Sequence, residues 1–212
     1  MLIPSRAPQP ISGQTVPMQL TPVGPDAVLV ALDDEQAPAA LAAWARERGL
    51  AREVVPGADT VLLDGLADRD ALNGVLRTWI PGGPAATPAA VEVPVTYDGE
   101  DLAAVADLVG ESVEAVVRRH QETEWTSRFC GFAPGFAYLA GWELRVARLP
   151  TPRTTVPPGS VALADGWCGI YPVASPGGWQ LIGRTDVTLW DPSADSPALL
   201  APGTPVRFVA AS

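Results

Sequence analysis

Lysine is missing altogether: the 14 basic residues of this 212-residue chain are all arginines. That excludes Schiff-base chemistry, a lysine nucleophile, a biotin-carrying lysine and the phosphate loop whose clamp is a Lys. An anion bound here has to be held by Arg, by backbone N–H groups or by a partner protein. Histidine occurs once, as His120, and cysteine twice, as Cys130 and Cys168. One imidazole and two distant thiols are poor material for a zinc centre, so no metal site is expected. A net charge of −10 with no basic stripe argues against nucleic acid as a partner. No apolar run is long enough to span a bilayer, so no membrane partner is expected either. The first 14 residues carry Pro4, Pro8 and Pro10 and no continuous apolar core, unlike a signal peptide. The expected location is therefore cytoplasmic. What the chain does have is 47% hydrophobic against 18% charged residues, a balance that folds.

Local pattern divides the chain. Residues 1–16 read as a flexible tail and 17–80 as a small α+β domain. In the latter, 27–32 is a short apolar strand. Pro38 opens a helix whose apolar face is Leu41, Ala42, Trp44 and Ala45, and Gly49 ends it as a left-handed cap. Val54-Val55 and 60–63 form a hairpin around Pro56-Gly57, and Asp68 caps a second helix carrying Leu72, Val75, Leu76 and Trp79. Residues 81–90, rich in Pro, Gly and Ala, read as a linker. Beyond it, 91–97 alternates as a strand and Asp98-Gly99 turns the chain. One helix follows over 101–109, stopped by Gly110, and Ser112 starts another with Glu114 in its first turn. From 126 onward, short apolar stretches alternate with Pro/Gly turns, the pattern of a sandwich or barrel.

Candidate chemistry lies in this second part. His120 shares a helical stripe with Val113, Val116 and Val117. It is either a core imidazole satisfied by one hydrogen bond or the chain's general acid/base. Gly131-Phe132-Ala133-Pro134-Gly135-Phe136-Ala137-Tyr138-Leu139 fits a tight turn packing its aromatics, or a pocket-lining loop that presents N–H groups and the Tyr138 hydroxyl. Arg153 and Ser160 flank a rigid Pro157-Pro158-Gly159 turn. Ser175-Pro176-Gly177-Gly178-Trp179 leads on to Gly183-Arg184-Thr185. Arg forks suit carboxylates or phosphates, and successive glycine amides suit an anion. Each of these stretches alone also fits a structural role. A Ser160–His120 or Ser175–His120 nucleophilic pair stays open, although no Gly-x-Ser-x-Gly elbow occurs.

Taken in order, these words resemble the family that contains the B component of 5-oxoprolinase, allophanate hydrolase subunit 1 and the kinase inhibitor KipI. The likeness runs from about Val91 to Phe208. It adds Gly169-Ile170-Tyr171-Pro172, Pro202-Gly203 and Val206-Arg207-Phe208 to the motifs above. The resemblance implies an α+β fold: a small N-terminal α+β domain, then a cyclophilin-like β-barrel domain over 91–212. It implies two partners, a carboxyltransferase-like C component and a LamB/YcsF-type A component. It also implies a lactam or amide substrate, and ATP as the cofactor of the complex. The leading expectation is the B component of an ATP-dependent 5-oxoprolinase that cleaves 5-oxoproline to glutamate and is inactive alone. The alternatives are a KipI-like inhibitor of a sensor histidine kinase, an allophanate- or urea-handling amidohydrolase subunit, and a carbohydrate- or peptide-binding barrel.

The resemblance points to His120, Tyr138, Arg153, Ser160, Ser175, Gly177, Gly178, Trp179, Arg184 and Thr185 as site positions, and side-chain chemistry divides the roles: His120, Tyr138 and Ser175 are the catalytic candidates. The substrate-binding candidates are Phe132, Pro134, Gly135, Arg153, Ser160, Gly177, Gly178, Trp179, Arg184 and Thr185. The further expectation is that His120, Arg153 and Arg184 converge at the mouth of the barrel. Departures from the family pattern occur at Trp167-Cys168, before Gly169, and at Asp186, where Pro is common.

Overall fold

A computed structural model describes residues 17–34, 37–80 and 89–211. The tail expected over 1–16, and the linker expected over 81–90 except its last two residues, lie outside them. The chain divides into two compact units, 1–85 and 86–212.

The first unit is a four-stranded antiparallel sheet in the order β1-β2-β4-β3. Its strands are β1 (Met18–Pro22), β2 (Ala27–Leu32), β3 (Ala51–Pro56) and β4 (Thr60–Leu66), with helices α1 (Ala37–Glu47) and α2 (Leu72–Leu76). Apolar alternation along β2 turns Val28, Val30 and Leu32 inward onto Leu41, Ala42 and Ala45 of α1. Gly49, at φ +60°, lets Leu50 N–H reach back to Ala45 O, which closes α1. The second helix is shorter than its apolar pattern predicts. Asp68 accepts from Ala71 N–H, but α2 ends before Trp79, which is buried beyond it.

The second unit carries β5 (Val91–Val95), α3 (Leu102–Val109), α4 (Val113–Glu122), β6 (Trp125–Cys130), β7 (Ala137–Ala140), β8 (Arg153–Val156), β9 (Ser160–Ala164), β10 (Trp167–Ile170), β11 (Ser175–Gly177), β12 (Gln180–Arg184) and β13 (Pro205–Ala210). Seven of the strands form one sheet in the order β12-β9-β10-β7-β6-β13-β5, antiparallel except where β13 runs parallel to β5. Thr96 and Arg184 exchange backbone hydrogen bonds of 2.9 Å each, joining its two edges into a nearly closed barrel. Strands β8 and β11 make a separate ribbon. Pro176 is tolerated there because β11 has a partner on one side only.

The period-two pattern of the strands serves two cores. Val161, Leu163, Cys168, Ile170 and Ile182 face a cluster shared with α3 and α4, while Ala162, Ala164, Tyr171 and Leu181 face an aromatic cluster with Phe136 and Trp179. The Ser112 hydroxyl caps α4 through Ala115 N–H at 3.2 Å. Among the described residues no helix is long and apolar enough to cross a membrane.

Candidate functional site

His120 is held by the apolar stripe of α4 in the core, fully buried. Phe208, Trp125 and Trp142 surround the ring, with centroids 4.3, 5.2 and 6.1 Å away. Nδ1 lies 2.9 Å from the Tyr97 hydroxyl and Nε2 lies 3.4 Å from Cys168 Sγ. Either neutral tautomer is satisfied. Tyr97 O–H donates to Nδ1 while Nε2–H donates to sulfur, or Nδ1–H donates to Tyr97 while the thiol donates to Nε2. Burial pushes the imidazole pKa down to about 3 and raises the Tyr97 hydroxyl and the Cys168 thiol, so all three stay uncharged at neutral pH. This corrects the expected convergence: the imidazole is sealed in hydrocarbon rather than standing at the barrel mouth with Arg153 and Arg184. A ring with no route to solvent is a poor proton shuttle.

The two arginines are committed elsewhere. Arg153, at the start of β8, donates through Nη2 to both carboxylate oxygens of Asp101 at 2.7 and 2.8 Å, and through Nε to Glu100 at 2.7 Å. Burial works against its charge, and the two carboxylates more than offset that, so its pKa is raised. Asp101 also accepts from Leu181 N–H at 2.6 Å, so the cluster ties the start of α3 to β12 and β8. Arg184 is exposed and donates to Asp98 at 2.9 Å. Both guanidinium groups face carboxylates, Arg153 in a half-buried cluster and Arg184 in an exposed pair through Nε alone.

The serines and glycines take backbone roles. Ser160 Oγ donates to Pro157 O at 2.8 Å, and Ser175 Oγ to Val173 O at 3.3 Å, so neither pairs with His120. Gly177 lies in β11, where an added Cβ would run into the Tyr171 ring, and Gly178 O accepts from Leu149 N–H at 2.7 Å.

Aromatic side chains do come together. Tyr138 stacks on Phe129 with centroids 4.3 Å apart, and Phe136, Trp167 and Trp179 meet it edge-on or tilted at 5.1, 6.1 and 5.6 Å. Burial raises the Tyr138 hydroxyl, which stays protonated. The Arg148 guanidinium lies 5.9 Å from the Trp179 ring centre.

Beside this cluster opens a cavity of about 560 Å³ between the Pro134 turn, the Pro158-Gly159 turn, 171–173 and 185–190. Of the candidates, Pro134 and Thr185 line it. Gly135, at φ +85°, lets its turn close against Trp190; a Cβ there would lie 2.9 Å from that of Trp190. Phe132 stands just outside with φ 68°, its ring edge-on to Phe136 and Tyr171 at 5.3 and 6.2 Å. Asp186, Thr188 and Trp190 were missed as lining residues. The departure at Asp186 was the signal available in the sequence for that one position.

Residues 18–200 match the family model of the carboxyltransferase domain, subdomain C and D, and the chain belongs to that family. It is 43% identical to the B component of 5-oxoprolinase from Escherichia coli O157:H7 over 169 residues, covering 74% of this chain and 77% of the relative. Against the B component of 5-oxoprolinase from Bacillus subtilis (strain 168) the identity is 44% over 124 residues, covering 56% of this chain and 52% of the relative. The crystal structure of TTHA0988 in space group P6522 superposes with a TM-score of 0.77 at 35% identity, covering 88% of this chain and 40% of that one. At the level of fold alone, the Kluyveromyces lactis urea carboxylase superposes with a TM-score of 0.72 at 18% identity, covering 95% of this chain and 23% of its own. The chain thus spans about half the length of the B. subtilis relative and two-fifths of TTHA0988.

Proposed function

We propose that this chain is the B component of a cytoplasmic 5-oxoprolinase, a hetero-oligomer that opens the lactam of 5-oxoproline with water to give glutamate while ATP is hydrolysed. The observation that carries this reading is the 43% identity to an E. coli protein of that name over 77% of its length. The urea-handling alternative rests on an 18% likeness, which speaks to fold only.

The geometry favours a shared site. The one imidazole is buried and uncharged, and Arg153 and Arg184 are bound to carboxylates. ATP does not fit the residues found here: the chain has no Lys, and among the described residues the only formally charged side chain lining the cavity is the carboxylate of Asp186. We therefore assign the triphosphate and the phosphoryl chemistry to the partners, a carboxyltransferase-like C component and a LamB/YcsF-type A component. The role assigned to this chain is to supply a rigid barrel face and its aromatic cluster, which help wall off the lactam and hold the partner in register. Purified partners assayed for glutamate release from 5-oxoproline test this. Release is expected only with this chain present, and an undiminished rate without it overturns the proposal.

A further inference from the structure

Four of the large apolar side chains exposed on the second unit gather around the cavity: Phe132 at 61% exposure, Val173 at 50%, Trp190 at 40% and Leu199 at 37%. Val173 and Trp190 line it, Phe132 sits at the edge of Tyr171, and Leu199 N–H bonds to Leu189 O in its wall at 3.0 Å. Phe132 is costly twice over. A side chain bearing a Cβ at φ 68° carries about 1–2 kcal/mol of backbone strain, and more than half of this residue is left in water. Strain of that kind persists where a display is useful.

The electrostatics of the same wall are one-sided. Residues 185–200 include Asp186, Asp191 and Asp195 and no basic residue. Asp186 lines the cavity without an ion-pair partner among the described residues. Hydrogen bonds from the Ser193 side chain and backbone hold Asp191 below the usual carboxylate range, so it stays ionised. A small molecule carrying carboxylate or phosphate would meet only negative charge here. A second copy of this chain in a two-fold contact would set the acidic wall against itself.

We infer that this cavity is the docking point for the carboxyltransferase-like component of the complex, and that its occupant is an arginine or lysine side chain of that partner flanked by apolar residues. This rests on the reading of the chain as one component of a complex. The cation meets Asp186 and the indole face of Trp190, while Phe132, Val173 and Leu199 cover the flanking apolar groups. A desolvated charge ringed by apolar contacts is the arrangement in which a few residues dominate affinity. The acidity of the whole chain, −10, steers a basic surface toward it.

The test is the affinity of the full chain for the purified carboxyltransferase-like component, measured by biolayer interferometry at two salt concentrations. Asp186→Arg and Trp190→Ser are each expected to weaken binding by roughly tenfold or more, and Asp186→Asn to flatten the salt dependence. Arg207→Ser, at an exposed pair with Glu92, serves as control and is expected to bind as the wild type does. Hydrogen exchange of the unmutated chain should show protection of 186–191 on complex formation, which guards against a misfolded variant. Wild-type binding with unweakened variants, or with 186–191 unprotected, overturns this docking site and leaves the reading as a component of a complex standing. No binding by the wild type overturns that reading and the docking site with it.

Discussion

Lowering the pH should destabilise the second unit through one residue. His120 titrates near 6.5 in an unfolded chain and near 3 in the folded one, where burial opposes its charge. Below pH 6.5 the unfolded state therefore takes up a proton that the native state refuses, and stability falls with pH until the folded value is reached. The stability is fully present above 6.5. At pH 5, some 1.5 units below the unfolded value, the loss is about 2 kcal/mol, a large share of the margin of a typical domain. Urea unfolding followed by tryptophan fluorescence reports it, because Trp125 and Trp142 pack on the ring. Carboxylates add their own pH dependence, so the comparison is with His120→Gln, in which the component of about 2 kcal/mol should vanish. If that variant fails to fold, proton NMR decides, because a single histidine gives a single imidazole signal. No inflection is expected between pH 8 and 5. An inflection near 6.5 would place the ring in solvent and refute the reasoning.

Other substitutions have calculable outcomes. Asp101→Ala removes the more buried of the two carboxylate partners of Arg153 and the acceptor of Leu181 N–H together. It should lower stability by about 3 kcal/mol in denaturant titration, whereas an effect under about 1 kcal/mol would mark the pair as a surface contact. Gly135→Ala combines a positive φ with a Cβ 2.9 Å from that of Trp190. A cost of roughly 2 kcal/mol in chemical unfolding is expected, and a neutral result would contradict the turn geometry. Leu139→Ala, in the main barrel core, should cost about 2–5 kcal/mol, visible as a lowered urea midpoint without a change in slope.

Local chemistry made much of the architecture legible. Ser112 capping α4, Gly110 ending α3 and the alternation of 27–32 were all readable, since each is decided within a few residues. Strand β1 was not, because Met18–Pro22 is short and holds its place by pairing with β2. The site was harder for the same reason. Arg153 meets Asp101 across 52 positions and His120 meets Cys168 across 48, and no local pattern encodes such pairings. The helical stripe did place His120 on or beside a buried face. It could not say that Phe208, Trp125 and Trp142 would close over the ring.

The proposed dependence of this chain on a second protein is tested most directly by titrating it, purified, into a fixed amount of the proposed partner proteins while glutamate release from 5-oxoproline is followed. Activity absent from the chain alone should rise with each addition and level off at a fixed stoichiometric ratio. Turnover by the isolated chain, or a rate indifferent to its addition, would contradict a site completed only by assembly.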